Sequence, residues 1–228
     1  MRNRLLELVL FAVILAAFSL SGCTTPSPKT GPTPTASTPP PSTPPQETPE
    51  LEKTVEDSEA AKKAKKAAEA EIVFQQGLNF YENNDFDQAA KTFRQAALDG
   101  HQEAQFKLAT MYHDDKGVEQ DSVQTAYWYR QAAEQGHADA QHLLGALYSF
   151  GIGVTKDSEQ AKNWYHKAAE QGHVGGQLSL GMMYFKGTKI PQDLEQAKKW
   201  LSLAAEQGNQ DAIAVRDQVE TMLNSAGQ

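Results

Sequence analysis

The chain has 228 residues, 39% of them hydrophobic and 22% charged, and a formal net charge of −8. This length gives room for one or two domains with the composition of an ordinary soluble protein. The acidic balance argues against a nucleic-acid-binding protein, which needs a basic surface, and the single cysteine excludes an intramolecular disulfide.

The first predicted element, residues 1–22, is a secretory signal peptide. Two arginines precede an apolar run from residue 8 to residue 20, which is too short to span a bilayer comfortably. The sequence "LSGC", ending at Cys23, resembles the lipobox of bacterial lipoproteins. This resemblance implies lipidation of Cys23 and membrane anchoring through the lipid; the alternative is a free thiol beside an ordinary cleavage site. Thr24 stands where an inner-membrane lipoprotein tends to have aspartate, so the resemblance implies outer-membrane anchoring if the organism is Gram-negative. We expect an outer-membrane lipoprotein of the bacterial cell envelope that faces the periplasm, with exposure on the outside as the alternative.

Residues 23–50 are predicted to form a disordered tether between the lipidated cysteine and the next domain. Ten of the eleven prolines lie between residues 24 and 49. Proline fixes φ and lacks a backbone donor, so we expect an extended, polyproline-like spacer without a core. At about 3.1 Å per residue it could reach up to about 80 Å.

Residues 51–70 are predicted to form a charged lead-in helix. The composition changes here to Ala, Glu and Lys, after Thr48 as a plausible N-cap and Pro49 at the first helical position. Val55 is the only strong hydrophobe between residues 52 and 71, so this helix has little to bury. A coiled coil is the alternative, but the segment lacks apolar heptads.

A six-residue pattern then recurs four times: "AALDGH" at 96–101, "AAEQGH" at 132–137 and 168–173, and "AAEQGN" at 204–209. Its glycines are 36 positions apart, which is typical of a stacked repeat architecture. The paired alanines permit close helix packing, and the glycine suits the left-handed position past a helix end. The pattern therefore marks the end of the second helix in each of four predicted repeats.

Each repeat is predicted to contain two helices. The first carries a small residue at the position where a neighbouring helix must come close. The second begins at an aspartate with a glutamine three positions later, which is a capping-box pattern. All three tryptophans recur at one position of the second helix; we interpret them as a buried seam between units rather than an exposed stacking platform. The small residues are Gly77, Ala109, Gly145 and Gly181, the aspartates are Asp85, Asp121, Asp157 and Asp193, and the tryptophans are Trp128, Trp164 and Trp200.

Residues 71–208 resemble the Sel1-like repeat family, relatives of the tetratricopeptide repeats. The third repeat carries nearly the whole family pattern, with a Leu-Gly pair, "GIGV" and "NWYHKAAEQG". The second repeat has Ala109 and Asp115 in place of glycines, the fourth has Lys189, and the first lacks the glycine loop and looks more like a plain tetratricopeptide repeat. The resemblance implies an all-α, right-handed α-solenoid of four helix pairs. Residues 209–228 keep an apolar stripe and are predicted to form a capping helix and tail.

No sequence motif indicates catalysis or metal binding. His101, His137 and His173 recur after the glycine, but equivalent positions in stacked repeats are at least ~8–10 Å apart, whereas zinc ligands all lie about 2 Å from one ion. The "GIGVTK" loop at 151–156 lacks the third glycine and the preceding strand of a nucleotide site. We therefore expect no enzyme activity, no cofactor and no metal.

The remaining candidate is a binding surface. In tetratricopeptide-like solenoids the first helices line a concave groove, and the resemblance implies the same here. Exposed aromatics and a methionine in such a groove would bind a peptide or a partner helix, although several of them could instead pack on the adjoining helix. The predicted partner-binding residues are Phe74, Tyr81, Phe106, His113, His142, Phe150, Leu178, Met182 and Phe185.

These features together predict a membrane-anchored extracytoplasmic scaffold that binds a protein or peptide partner in the concave groove. One alternative is a structural tether from the outer membrane to peptidoglycan or to an exopolysaccharide export complex, which the long spacer would suit. A second is a hydrolase acting on cell-wall or β-lactam-type substrates, for which the spacing offers no clustered nucleophile and base.

Overall fold

The structure, a computed structural model, describes residues 49–188 and 190–226, with the side chains from residue 58 to residue 225 apart from 189. The predicted signal peptide, Cys23 and the tether up to residue 48 lie outside these residues. The described part of the chain is all-α, as predicted. Its helices are α1 (Pro49–Glu82), α2 (Phe86–Leu98), α3 (Gln102–Asp114), α4 (Ser122–Glu134), α5 (Ala138–Phe150), α6 (Ser158–Glu170), α7 (Val174–Lys186), α8 (Leu194–Glu206) and α9 (Gln210–Ala226).

The helices form sequential pairs, because each one packs against the next along the chain. The first helices of the four predicted repeats are the end of α1, then α3, α5 and α7. The second helices are α2, α4, α6 and α8, and α9 follows as the predicted capping helix. Since the most extensive helix contacts are between neighbours in sequence, the packed part is built as a repeat protein is, one unit upon the next.

The lead-in segment and the first helix of the first repeat form one continuous helix. α1 runs for 34 residues, so the predicted boundary at residue 70 is not a helix break, and Pro49, assigned to the tether, belongs to the helix. Residues 58–69 are all exposed, whereas Ala70 is buried and begins the packed part of α1. An ion pair of 3.4 Å between Lys66 Nζ and Asp99 Oδ1 joins the exposed stretch to the end of α2.

The second helices begin at the predicted aspartates. Each aspartate Oδ1 accepts the backbone N–H of the glutamine three positions later, as from Gln160 to Asp157 at 3.0 Å. The other half of the predicted capping box is replaced: the backbone N–H of each aspartate donates to the carbonyl of an aromatic residue in the preceding first helix, as from Asp157 to Tyr148 at 3.0 Å. Each cap therefore also fixes the second helix to the end of the first. The aspartates are Asp85, Asp121, Asp157 and Asp193.

Small residues allow the two helices of a repeat to pack closely. A Cβ built on Gly77 would lie 2.6 Å from the Phe93 ring, and one built on Gly181 would lie 2.7 Å from Cγ of Leu201. The interpretation of the tryptophans as buried residues is confirmed, since none is more than 8% exposed. Alanines occupy much of the remaining core, and they keep the distance between helix axes short.

The glycines that follow the second helices and the C-terminal helix α9 also agree with the prediction. Gly136 and Gly172 have φ of +99° and +83°, and nothing lies within 4 Å of a Cβ built on either, so the left-handed backbone alone favours glycine there. At the C-terminus, Ala212 and Val219 of α9 are fully buried, and Leu223 packs against the same cluster. The predicted capping helix and its apolar stripe are confirmed.

Candidate partner-binding site

The predicted partner-binding residues lie on the first helices, and we call the face that they form the first-helix surface. Their exposure differs greatly: Phe150 is 70% exposed, whereas Phe74 is only 6% exposed and offers a partner almost no surface. His113 is also exposed. The half-buried members are Tyr81, Phe106, His142, Leu178, Met182 and Phe185.

A pair of neighbouring rings joins successive repeats at three places along this surface. The first ring of each pair is a predicted binding residue, and the second is the histidine that follows the repeated glycine. The pairs, with the distance between ring centroids, are Phe74 and His101 at 4.4 Å, Phe106 and His137 at 4.3 Å, and His142 and His173 at 4.8 Å. These three predicted residues therefore help to hold the repeats together.

The recurring histidines are the N-caps of the first helices α3, α5 and α7. Nδ1 of His137 accepts the backbone N–H of Ala140 at 3.2 Å, and its Nε2 lies 3.0 Å from Oε2 of Glu103. Because Nδ1 is an acceptor, the ring proton is assigned to Nε2, which donates to the carboxylate. The other two copies pair His101 with Glu71 at 2.8 Å and His173 with Asp139 at 2.9 Å.

Sequence reasoning considered these histidines only as metal ligands and missed their capping role. One signal was present: Asn209 replaces the histidine in the fourth copy, and asparagine is a favoured N-cap. Its Oδ1 accepts the backbone N–H of Ala212 at 2.9 Å. The cap occupies Nδ1 and the carboxylate occupies Nε2, so both ring nitrogens already have structural partners.

A ladder of buried glutamines was also missed. Gln141 is 4% exposed, and its Nε2 donates to the carbonyl of Ala133 at 3.0 Å. Its Oε1 accepts from Nε2 of Gln171 at 2.7 Å, so the glutamine of "AAEQGH" satisfies a buried side chain on the first helix of the same unit. The equivalent pairs are Gln105 with Gln135 and Gln177 with Gln207.

His142 is the predicted site residue with the most perturbed ionisation. Burial and, to a lesser extent, the nearby His173 lower its pKa from 6.5 to about 4, whereas Asp139 acts in the opposite direction. Its Nε2 lies 3.3 Å from Oγ of Ser179 on α7. The ring is therefore neutral at physiological pH and belongs to the contact between α5 and α7.

Three of the predicted residues line one cavity of about 410 Å³ between α5 and α7. Phe150 ends α5 at one side, and Leu178 and Met182 of α7 form the other. The phenol of Tyr165 lies in the lining, where burial raises its pKa while hydrogen bonds with Ser149 and Ser179 oppose that rise. The remaining lining residues are Ser149, Ser179, Met183, Lys186 and Thr188.

The other predicted residues do not enter this cavity. The rings of Tyr81 and Phe86 pack edge to face, with their centroids 5.1 Å apart, and Nζ of Lys116 lies 5.7 Å from the centroid of the Tyr81 ring. His113 Nδ1 lies 2.8 Å from Oδ1 of Asp114 at the end of α3. Phe185 is half-buried and packs with the cluster of α8 and α9. The structure thus gathers part of the predicted set and distributes the rest along the repeats.

Neither metal binding nor membrane insertion is evident in the part that the structure describes. Among the side chains of residues 58–188 and 190–225, no three of His, Cys, Asp or Glu are grouped so that they could hold a metal ion. The same residues include no helix with the length and apolar character needed to cross a membrane. What the first-helix surface offers is the cavity between α5 and α7.

Comparisons with known proteins identify the repeats. The Sel1 repeat family model matches residues 102–137, 138–173 and 175–209, which are three of the four predicted units. The first unit, predicted to be closer to a plain tetratricopeptide repeat, lies outside these matches. No curated protein sequence matched this chain.

The solved structures that are similar to this one include the following two. A protective antigen of uropathogenic Escherichia coli strains, which displays an SLR fold, is 37% identical with a TM-score of 0.61; the match covers 68% of this chain and 34% of the antigen. A Sel1 repeat protein from Oxalobacter formigenes is 31% identical with a TM-score of 0.59, over 63% of this chain and 59% of that protein. This chain thus spans about a third of the length of the antigen and about three fifths of the length of the Oxalobacter protein. The chain is a Sel1 repeat protein with the SLR fold.

Proposed function

We propose that this Sel1 repeat protein is a membrane-anchored scaffold of the bacterial cell envelope that binds a peptide or protein partner on its first-helix surface. The observation that carries the proposal is the cavity between α5 and α7, where Phe150 is 70% exposed beside Leu178 and Met182. A large exposed aromatic side chain next to an adaptable methionine is typical of a surface that binds another chain.

The anchor in this proposal is a lipid on Cys23. It is supported by the lipobox-like "LSGC", by the cysteine being the only one in the chain, and by the proline-rich segment that follows. A tether of this composition would hold the repeats away from the membrane surface and leave the first-helix surface accessible. Binding requires no catalytic step, and we propose that the protein is not an enzyme.

The binding site is tested by site-specific crosslinking in cells. A photoreactive amino acid replaces Phe150 in the full chain, and in a second version it replaces Val123, a 62% exposed residue on α4. We expect a discrete crosslinked protein from position 150 and none from position 123. Adding Met182→Gln to the first version should reduce the product, because truncating a central interface residue can cost more than 2 kcal/mol.

Circular dichroism and the melting temperature of each version provide the control for folding. Crosslinking to glycan or peptidoglycan instead of protein would support the alternative of a structural tether. Equal crosslinking from positions 150 and 123 would contradict a binding site on the first-helix surface.

A further inference from the structure

The last residues of the four first helices form a column whose charge changes sign along the repeats. In chain order they are Glu82, Asp114, Phe150 and Lys186, and we call them the helix-end column. Each one is the final residue of its helix and each is exposed. The column therefore passes from acidic residues through an aromatic one to a basic residue.

Helix stability does not account for this order. The C-terminal end of a helix carries partial negative charge, so acidic residues there are unfavourable and basic residues are favourable, typically by 0.3–1 kcal/mol. Glu82 and Asp114 occupy the unfavourable position, and only Lys186 agrees with the helix dipole. Asp114 has His113 beside it, but neither Glu82 nor Lys186 forms an ion pair with another residue in the described ranges.

The apolar cavity lies between the aromatic and the basic members of the column. Its lining contains the cation of Lys186 and no carboxylate, so it favours an apolar group with an anion close by. One repeat away, at Asp114, the column favours a cation. Equivalent positions on successive first helices are separated by at least about 8–10 Å, the distance between packed helices, which an extended chain covers in about three residues or more at ~3.3 Å each.

From this complementarity we infer that the ligand of the first-helix surface is an extended peptide segment of mixed charge. A large apolar side chain occupies the cavity, a carboxylate lies about three residues away beside Lys186, and a basic residue lies at a similar distance on the other side beside Asp114. This inference rests on the proposed function, because it specifies the partner of the same surface. The side chains of the helix-end column determine which end of the peptide is acidic and which is basic. They do not determine whether the peptide runs from its N-terminus to its C-terminus in one direction or the other.

The test uses three synthetic peptides with phenylalanine at the centre and two serines on each side. Their terminal residues are lysine and glutamate, lysine and lysine, or glutamate and glutamate, with both ends of the chain blocked. Binding to the full chain in detergent is followed by NMR of 13C-methyl methionine. Met182 and Met183 line the cavity, while Met111 in the core and Met222 on α9 report on any change elsewhere.

We expect the mixed-charge peptide to shift the signals of Met182 and Met183 and to bind about two- to fivefold more tightly than either uniform peptide, as for exposed ion pairs. In Lys186→Glu the preference should change to the peptide with two lysines, and in Asp114→Lys to the peptide with two glutamates. Lys91→Glu, which makes the same charge change at an exposed position on α2, should keep the wild-type order.

Equal binding of all three peptides, or an order unchanged by Lys186→Glu, would overturn the inferred polarity and leave the proposed binding surface in place. The absence of any shift at Met182 and Met183 with every peptide would overturn the inferred ligand class. Crosslinking from position 150 decides the proposed function separately, because it needs no assumption about charge.

Discussion

Gly145 on α5 lies so close to Tyr165 on α6 that a Cβ built on the glycine would be 2.7 Å from Cδ1 of the tyrosine ring. The carbonyl oxygen of Ala161 would be 3.2 Å from the same Cβ. Real Cβ atoms do not approach a ring carbon so closely, so any larger residue at this position requires the two helices to separate or the ring to move.

Gly145→Val should therefore destabilise the protein by about 1–3 kcal/mol, the usual cost of overpacking a well-filled contact. Chemical denaturation followed by circular dichroism measures this change in the free energy of unfolding. Gly145→Ala should cost less, since Ala109 already occupies the equivalent position of the second repeat and is fully buried there. Because repeats stabilise their neighbours, the loss should also lower cooperativity along the stack.

Asn163→Val is the matched control, because Asn163 is exposed on α6 and the change introduces the same β-branched residue into a helix. Its effect should be limited to helix propensity, a few tenths of a kcal/mol. A loss of stability in Gly145→Val no larger than in this control would mean that α5 and α6 do not approach as closely as 2.7 Å implies.

The histidine caps give a second prediction. His137→Ala removes the acceptor for the backbone N–H of Ala140 together with the ring that stacks on Phe106, and we expect a loss of about 0.5–2 kcal/mol or more. His137→Asn should lose less, because an asparagine side chain can cap in the way that Asn209 caps α9. Urea denaturation of the two variants measures the difference. If both lose the same stability, capping is not the main contribution of His137.

Much of the fold could be predicted from residues that recur with the same chemistry. Alanine pairs, turn glycines and aspartate caps each have a strong local preference, so their positions marked the ends of the helices. The continuity of α1 could not be predicted in this way, because residues 58–69 are exposed and carry no apolar periodicity with which to locate a boundary. The histidine–carboxylate pairs and the glutamine ladder depend on partners some 30 residues away, as in the bond between Gln141 and Gln171.

The candidate site was predictable in part. Assignment to the first helices followed from the family resemblance, and it led to Phe150, Leu178 and Met182, which line the cavity. The exposure of a ring on a first helix depends on how the neighbouring repeat packs against it. The sequence alone therefore could not show that Phe74 is buried and Phe150 exposed. Phe74 is 6% exposed with a histidine ring stacked on it, whereas Phe150, the last residue of its helix, is 70% exposed.

A third prediction concerns the anchor. Cys23→Ser in the full chain should abolish lipidation, because serine lacks the thiol to which the lipid is attached. Phase partition in detergent after cell fractionation measures the result: the wild type should enter the detergent phase, and the variant should remain unprocessed or soluble. Thr25→Ser, a nearby change that keeps the cysteine, is the control. Detergent partition of a processed Cys23→Ser protein would contradict the proposed lipid anchor.

The last prediction is a pH dependence of stability that arises at His142. Its pKa in the folded protein is about 4, against 6.5 for the unperturbed group, because the ring is buried and lies beside His173. Between these two values the unfolded chain binds the proton more readily than the folded chain does. The free energy of unfolding should therefore fall as the pH is lowered from about 6.5 towards 4, and the contribution of this residue should level off below that range.

His142→Phe tests this origin, because phenylalanine occupies the same column at Phe74 and Phe106 and cannot titrate. Urea denaturation at a series of pH values between 4 and 7 should give a weaker pH dependence for the variant than for the wild type, with folding retained at pH 7. His113→Gln removes an exposed histidine instead and controls for the loss of one imidazole. A pH profile of His142→Phe parallel to that of the wild type would show that the acid sensitivity has its source elsewhere.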